Sequence, residues 1–301
     1  MVRLFMVLAL VVTALVVSNT RHAQAAQTTA PFTFPAHYMY SVDRTSAYNL
    51  GYNDGRRVGS RCGDFMTILD FGQVEGHGSA SPGYGGYGQN TFANGAPFVS
   101  LGQVANASYA YQQGYWAGTP TVCATLKVVI GTNNKAQCVY HTNVCSPSGF
   151  GTNYGSMLND LVNRSGSYSS QIYLWVGDDI ETGYDSAART RPLVDSFNAN
   201  DPHYSEFIDY GDAASSSQWS DADIAYVAYG ARFDYTLAQA FNDGQISRWI
   251  SIRKQYGVAY EGILTEYGFY GFDPTTGWNH FWNALNNNGV PQSGLQYASN
   301  I

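Results

Sequence analysis

Short apolar segments of strand length recur along this chain, and stretches with helical spacing separate most of them. This alternation constrains the fold more than any other feature, because strands that alternate with helices are typical of a parallel sheet whose faces are both covered. We predict strands at 66–71, 125–130, 171–176, 206–210, 224–229, 235–241, 259–265 and 295–298. Eight strands favour an α/β fold closed into a single-domain (β/α)8 TIM-like barrel over an open, doubly wound sheet.

The stretches between these strands predict the helices and loops. We expect helices at 46–59, 98–116, 156–164, 189–199, 245–256 and 278–285, and a helical turn at Ser220 that leads into the run 224–229. Residues 76–95 are rich in glycine and serine and predict a long loop after the first strand. The first strand is followed directly by Gly72-Gln73-Val74 and then by this loop, not by a Gly-x-Gly-x-x-Gly turn that opens a helix, so a dinucleotide-binding fold is not favoured.

The N-terminus has the pattern of a secretory signal. Arg3 precedes an apolar stretch from Leu4 to Val17, and Ala23-Gln24-Ala25 is the small-x-small pattern at which such signals are cleaved. The stretch is shorter than the roughly 18–20 residues that a membrane-spanning helix needs. We therefore expect a signal peptide at 1–25, an extended segment with little structure of its own at 26–45, and a secreted domain at 46–301 without a membrane span; an uncleaved N-terminal anchor is the alternative.

The charge and composition exclude several classes of function. The net charge is −7 and only 12% of the residues are charged, so a nucleic-acid partner, which requires a basic surface, is not expected. The nucleophile elbow Gly-x-Ser-x-Gly, the phosphate-binding Gly-x-x-x-x-Gly-Lys-Ser/Thr and the zinc motif His-Glu-x-x-His are all missing from the sequence. We accordingly expect no cofactor and no metal, and we expect a monomer.

The four cysteines are Cys62, Cys123, Cys138 and Cys145. An even number of cysteines in an exported chain favours disulfides over free thiols or metal ligands. Three pairings are possible, and we favour Cys62–Cys123 together with Cys138–Cys145, since the second pair would close a short loop rich in turn residues.

Polar residues follow the apolar segments at the points where the predicted strands end. In a barrel of parallel strands these ends meet at one rim, where the active site lies. The residues found there are Asp70, Asn133, Asn134, Asp178, Asp179, Glu181, Asp209, Tyr210, Asp212, Gln239, Glu266 and Tyr267. Carboxylates and amides bind sugar hydroxyls, and aromatic rings stack on sugar faces, so this set favours a carbohydrate ligand.

The motif Asp179-Ile180-Glu181 is the best candidate for catalysis. In an extended segment Asp179 and Glu181 point to one side and Ile180 packs on the other. Glycosidic bond cleavage needs two carboxyl groups, so we assign the general acid to Glu181, a supporting role to Asp179 and the base or nucleophile to Asp70. We expect the substrate to contact the remaining candidates, which are Asn133, Asn134, Tyr210, Asp212, Gln239, Glu266 and Tyr267. The alternative is that these side chains cap helices or stabilise turns.

The same strand ends resemble those of exported actinobacterial-type proteins with a glycoside-hydrolase-like (β/α)8 barrel. The resemblance covers about Ser46 to Ile301, and its segments are 67–73, 130–134, 177–181, 210–212, 229–232 and 264–267. The Asp-x-Glu at a strand end is also distantly similar to that of family 25 muramidases, a resemblance that implies an acid at Glu181 with Asp179 as its partner.

Two functions therefore remain open. The first is an exported glycoside hydrolase that acts on cell-wall or environmental polysaccharide, peptidoglycan included, through its carboxylates. The second is a barrel without catalysis that binds glycan or the cell envelope through its tyrosine- and glycine-rich loops.

Overall fold

The computed structural model describes residues 29–77, 83–118, 121–137, 146–166, 171–181, 183–201, 205–211, 219–229, 236–292 and 295–301. Its strands are β1 (Phe34–Pro35), β2 (His37–Tyr38), β3 (Gly63–Gly76), β4 (Tyr87–Asn90), β5 (Phe98–Ser100), β6 (Ala124–Gln137), β7 (Ile172–Asp179), β8 (Phe207–Asp209), β9 (Thr236–Gln239), β10 (Tyr260–Thr265) and β11 (Tyr297–Asn300). Its helices are α1 (Arg44–Val58), α2 (Leu101–Gly118), α3 (Pro147–Arg164), α4 (Ala187–Asn200), α5 (Asp221–Tyr229), α6 (Asp243–Tyr256) and α7 (Pro274–Asn287).

The strands form one sheet that is mostly parallel. Its order is β1-β11-β10-β9-β8-β7-β6-β3-β4-β5, and β2 also pairs with β3. Only β4 and β5 are antiparallel to their neighbours among the described strands. The mixed α/β class and the parallel sheet predicted from the alternation of strands and helices are thereby confirmed.

The segment 34–38 pairs with both ends of the parallel part of this sheet. Phe34 lies beside Ser299 of β11, and His37 lies beside Leu69 of β3. The amide of Ala36, between the two short strands, donates to the carbonyl oxygen of Asn300 at 2.8 Å. The expectation that residues 26–45 have little structure of their own is therefore wrong for 34–38. Each short strand has only two residues, too few for an alternating pattern to be visible.

The predicted fifth strand, 224–229, is wrong as well, because these residues belong to helix α5. Ile224, Val227 and Ala228 are buried, which is the spacing of one helix face. The Ser220 hydroxyl accepts a hydrogen bond from the amide of Asp223 at the start of this helix. The helical spacing of the apolar residues and the capping residue Ser220 both favour a helix. The prediction of a strand was based on the short apolar run alone.

The predicted loop 76–95 is partly ordered. Strand β3 runs on to Gly76 and pairs antiparallel with β4, so that Gln73 lies beside Asn90. A short 3-10 helix at Tyr84–Gly86 leads into β4. Hydrogen bonds along the hairpin satisfy the backbone groups that glycine-rich composition alone leaves without partners.

Each face of the sheet has its own core. The helices cover one face, which carries Leu69, Leu126, Val176 and Ile263 among others. The second core is smaller and lies on the other face, which we call the inner face; it consists of Ala36, Met66, Ile68, Val129, Trp175, Ile208, Tyr210, Leu237, Leu264 and Tyr297. Because both faces are buried, the strands read as continuous apolar runs.

Helices α1 and α2 pack with their backbones in close contact. A Cβ on Gly51 would lie 2.0 Å from the carbonyl oxygen of Tyr111, and one on Gly114 would lie 1.9 Å from that of Tyr48. Since real Cβ atoms do not approach so closely, both positions require glycine. Through this contact the helix pair covers the first part of the sheet.

The disulfide Cys62–Cys123 is present, as predicted, with the two Cα atoms 4.8 Å apart. It joins the residues that precede β3 and β6, at the end of the sheet where the strands begin. Cys138 and Cys145 lie outside the described residues, and so does the predicted signal peptide at 1–25. None of the helices in the described part of the chain is both long and apolar enough to cross a bilayer.

Candidate functional site

Most of the predicted site residues lie on the inner face, where the parallel strands end. Side chains alternate between the two faces of a strand, so a residue two or four positions after an inner-face residue also points inward. Asp70 follows Ile68 in this way, Gln239 follows Leu237, and Glu266 follows Leu264. The same alternation places Asn133 after Val129 and Asp179 after Trp175, and Asn133 and Asp179 are register partners on adjacent strands. We call this end of the inner face the mouth.

Asp70 is fully buried at the mouth, and its two carboxylate oxygens differ. Oδ1 accepts a hydrogen bond from the amide of Gly72 at 2.8 Å. Gly72 has a φ of 97°, a conformation that favours glycine, and a Cβ there would lie 2.1 Å from the carbonyl oxygen of Asn90. Oδ2 receives no hydrogen bond from the part of the chain that the structure describes. The carboxylate is therefore held on one side and open to a donor on the other.

Burial raises the pKa of Asp70 to about 6; the hydrogen bond from the Gly72 amide and the nearby Tyr210 hydroxyl oppose this rise, and the negative charge of Glu181 adds to it. The charge of Glu181 acts on Asp70, although 111 positions separate the two residues in the chain. A carboxyl group with this pKa is mostly ionised at neutral pH and exchanges its proton near pH 6.

The predicted Asp-x-Glu motif lies at the end of β7 and in the segment that follows it. Asp179 is 5% exposed at the mouth, whereas Ile180 is fully buried in the core beneath the helices. Glu181 is half-buried, and its amide donates to Oδ1 of Asn134 at 3.2 Å. Asn134 thus ties the end of β6 to the residue that we assign as general acid.

Glu266 has a partner that sequence reasoning missed. The hydroxyl of Tyr38 donates to Oε1 of Glu266 at 2.9 Å, and the side-chain amide of Gln239 donates to the same oxygen at 3.4 Å. Burial raises the pKa of Tyr38 far above its usual value, and the charges of Asp179, Glu266 and Asp70 add to this effect. Tyr38 therefore belongs to the mouth. The one available signal was its position two residues after the buried Ala36.

Two of the residues predicted to contact substrate are buried and hydrogen-bonded within the protein, and their contact with substrate stays a prediction. Tyr210 is fully buried, and its hydroxyl donates to the carbonyl oxygen of Thr132 at 2.8 Å. Asn134 is 3% exposed and its amide is engaged by Glu181 and by Thr190. Both are structural residues of the site because their polar groups already have partners.

The other predicted contacts are placed as follows. Asn133 is 4% exposed and accepts a hydrogen bond from the amide of Lys135. Tyr267 lies beyond the mouth, on the loop between β10 and α7, with 59% of its surface exposed. Asp212 lies outside the described residues.

Asp178 and Asp209 lie on the face that the helices cover, next to one another on β7 and β8. Asp178 is fully buried and neither of its oxygens accepts a hydrogen bond from a described residue. Burial, followed by the charges of Asp209, Asp70 and Asp185, raises its pKa well above the usual value. Sequence reasoning placed both residues at strand ends but did not separate them from the mouth, which the strict alternation with Asp179 would have done.

The described residues include no group of three or more His, Cys, Asp or Glu side chains arranged to hold a metal ion. The expectation that the protein needs no cofactor stays a prediction.

No family model matches the chain, and no curated protein matches it. Among solved structures, the chain is similar to the crystal structure of a GH18 chitinase from Pseudoalteromonas aurantia, with 15% sequence identity and a TM-score of 0.47. The match covers 89% of this chain and 93% of the chitinase chain.

Proposed function

We propose that the parallel strands close into a (β/α)8 barrel through the segment 34–38. The support is its pairing on both sides, with β11 at Phe34 and with β3 at His37. The amide of Met39 also donates to the carbonyl oxygen of Asp70 at 2.7 Å, which extends the contact to the mouth. Counted as one strand, this segment replaces the run 224–229 among the eight strands of the prediction.

We further propose that the protein is an exported glycoside hydrolase that acts on cell-wall or environmental polysaccharide. One observation carries this proposal: carboxyl, amide and phenol groups from successive strands meet on one face, where the strands end, around Asp70, Asp179 and Glu266. In parallel barrels that end of the sheet is where substrates bind and react.

Glu181 is the general acid in this mechanism. It is half-buried, so part of its side chain is accessible to a ligand, and its negative charge acts on Asp70. Asp179 lies two residues before it and supports its protonated form through negative charge. Asp70 is the base or nucleophile, since a carboxyl with a pKa of about 6 is mostly ionised at neutral pH and its Oδ2 accepts no hydrogen bond from a described residue. Gln239 and Asn133 are placed to bind sugar hydroxyls.

The variant Glu181→Gln tests this assignment. We expect it to lose the release of reducing ends from peptidoglycan, chitin, cellulose or starch, whichever the wild-type protein degrades, by about 10²–10⁴-fold, because an amide cannot donate the proton. Glu206→Gln is the matched control, since Glu206 lies just before β8, at the opposite end of the strands. Full activity of Glu181→Gln would refute its role as acid.

A second function, glycan binding without catalysis, is favoured by the loop between β10 and α7. Tyr267, Phe269 and Tyr270 of this loop are 59%, 81% and 62% exposed. Such rings can stack on the faces of sugars without any chemical step. A wild-type protein that sediments with insoluble glycan but releases no reducing ends, and that loses sedimentation in Phe269→Ser/Tyr270→Ser, would establish this function instead.

Export is proposed on the N-terminal pattern at 1–25 and is supported by the Cys62–Cys123 disulfide, since disulfides persist in oxidising compartments. Expression of the full chain in a secreting host, followed by N-terminal sequencing of the protein in the medium, tests it. We expect the sequence to begin at Ala26. Retention in the membrane fraction with Met1 intact would contradict the proposal.

A further inference from the structure

Gly131 and Gly177 have no side chains, and the Tyr210 ring occupies the space beside them at the mouth. Asp70 of β3, Gly131 of β6 and Gly177 of β7 lie side by side in register. Tyr210, which follows β8, extends back over both glycines: a Cβ on Gly177 would lie 2.9 Å from its Cδ1, and one on Gly131 would lie 2.3 Å from its hydroxyl oxygen. Any larger residue at 131 would displace the hydroxyl.

The hydroxyl end of the Tyr210 side chain lies beside Asp70. The point at which a Cβ of Gly131 would stand is also 3.0 Å from the Cα of Asp70, so the Tyr210 hydroxyl and Asp70 are immediate neighbours. The hydroxyl now donates to the carbonyl oxygen of Thr132 at 2.8 Å. Oδ2 of Asp70 meanwhile receives no hydrogen bond from a described residue.

A phenol hydroxyl has one hydrogen, and that hydrogen can turn about the C–O bond. An ionised carboxylate is a stronger acceptor than a backbone carbonyl, because hydrogen bonds to charged groups are about twice as strong as neutral ones. Burial, together with the charges of Asp70 and Asp179, raises the pKa of Tyr210 well above its usual value, so the hydroxyl keeps its hydrogen.

We propose that Tyr210 is a positioning residue whose hydroxyl has two acceptors, the carbonyl oxygen of Thr132 while Asp70 is protonated and Oδ2 of Asp70 once Asp70 is ionised. No bond is made or broken in this step except hydrogen bonds. Tyr210 thereby decides how readily Asp70 gives up its proton. The consequence for catalysis rests on the proposed function, whereas the hydrogen-bond exchange itself does not.

Other ionisable groups interact with Asp70 through their charges, and they remain in place when Tyr210 is substituted. They come from β2, α3, β7 and the segment after β7, and they are Tyr38, Tyr154, Asp178 and Glu181. Tyr154 provides a matched control. It is also fully buried, and its hydroxyl donates to the carbonyl oxygen of Ile130 at 2.6 Å, on the same strand as Thr132 but in the core beneath the helices.

The experiment is a titration of Asp70 by NMR of the full-length protein with ¹³C-labelled aspartate, with the signal assigned through Asp70→Asn. In Tyr210→Phe, which keeps the ring but removes the hydroxyl, we expect the titration midpoint to rise by about one to two pH units, the equivalent of one hydrogen bond to a charged group. In Tyr154→Phe we expect no change. Thermal unfolding of both variants checks that each is folded.

An unchanged or lowered midpoint in Tyr210→Phe, or an equal rise in Tyr154→Phe, overturns the proposal. If the protein hydrolyses a glycan, the acid limb of its pH–rate profile should move upward in Tyr210→Phe by the same amount. Failure to hydrolyse any glycan would refute the proposed function alone, because the titration of Asp70 would still give its own answer.

Discussion

The two ends of the inner face differ in how their buried charges are compensated. Where the strands begin, the ammonium group of Lys127 lies 3.5 Å from Oε2 of Glu261 and packs over the rings of Trp175 and Tyr297 at 4.2 and 5.1 Å. Where the strands end, Asp70 is buried with one oxygen that no described residue bonds, and its pKa is raised to about 6. The Lys127–Glu261 ion pair stabilises the end where the strands begin. At the other end, the buried carboxyl group of Asp70 costs stability.

The largest expected effect of a substitution at the mouth is on activity. We expect Asp70→Asn to lower glycan hydrolysis by about 10²–10⁴-fold, because it removes the base or nucleophile. The fold should persist, since an amide oxygen can still accept the hydrogen bond from Gly72. Reducing-end release and thermal unfolding measure the two properties separately.

Asp64→Asn is the control for that variant, since Asp64 is an exposed residue at the beginning of the same strand. It should leave both activity and stability unchanged. Equal losses of activity in the two variants would remove the distinction between the two ends.

At the other end, Lys127→Met should act on stability alone. Removing one partner of a buried ion pair leaves the other charge uncompensated, and Lys127 and Glu261 have only 14% and 10% of their side chains exposed. We expect a loss of about 3 kcal/mol in the free energy of unfolding, measured with urea, and unchanged activity per folded molecule.

The double variant Lys127→Met/Glu261→Gln should recover most of that loss, because no unpaired charge remains. A double variant as unstable as the single one would show that packing against Trp175 and Tyr297, rather than charge compensation, stabilises this end.

Asp178 sharpens the comparison, because it lies at the end of a strand but on the face opposite the mouth. At pH values below 3.8 it is protonated in both states. As the pH rises, the unfolded chain ionises first while the folded protein does not, so the folded protein loses stability until the pH passes the raised pKa, by about 1.4 kcal/mol per pH unit.

We therefore expect Asp178→Asn to be more stable than the wild-type protein at pH 7 and to flatten the decline in stability between pH 4 and 7, as measured by urea unfolding across that range. Asp195→Asn is the control, an exposed carboxyl bonded to the Tyr226 hydroxyl, and should bring no gain. A destabilised Asp178→Asn would mean that the ionised carboxylate has a favourable partner.

The smallest effect concerns the segment 34–38, which pairs with β11 at Phe34 and with β3 at His37. Oδ2 of Asp54 lies 2.7 Å from Nε2 of His37 and accepts a hydrogen bond from the Tyr111 hydroxyl at 2.7 Å, which ties β2 to helices α1 and α2. We expect Asp54→Asn to cost about 1 kcal/mol and to speed amide exchange at Ala36 and Met39. Tyr111→Phe keeps the contact with His37 and should leave that exchange slow; fast exchange in the wild-type protein would contradict the pairing of 34–38.

Much of the fold could be predicted because its signals are local. The runs at 125–130 and 259–265 are apolar and contain β-branched residues, and both are strands; β10 lies within one residue of the predicted bounds, whereas β6 runs on to Gln137. Local signals failed where an element is very short, as at 34–38, or where a helix and a strand compete for a short apolar run, as at 224–229.

The candidate site divides in the same way. The sequence pattern placed Gln239 and Glu266 correctly at strand ends, whereas β3 runs on past Asp70 to Gly76 and Asp70 lies within the strand. It could not show that the Tyr38 hydroxyl reaches Glu266, from which 228 positions separate it, or that Tyr210 lies across two neighbouring strands. Such contacts depend on distances between strands, which no pattern along one strand contains.

The sequence by itself indicated most of the alternating strands and helices, the polar residues near the strand ends and, as the favoured pairing, the Cys62–Cys123 disulfide. Only the tertiary structure decided which of those polar groups face the mouth with a free acceptor, as Asp70 does, and which are already bonded, as Tyr210 and Asn134 are. The physical reason is that alternation and helical spacing are properties of neighbouring residues, whereas burial and hydrogen bonding are set by parts of the chain that meet only when the sheet assembles.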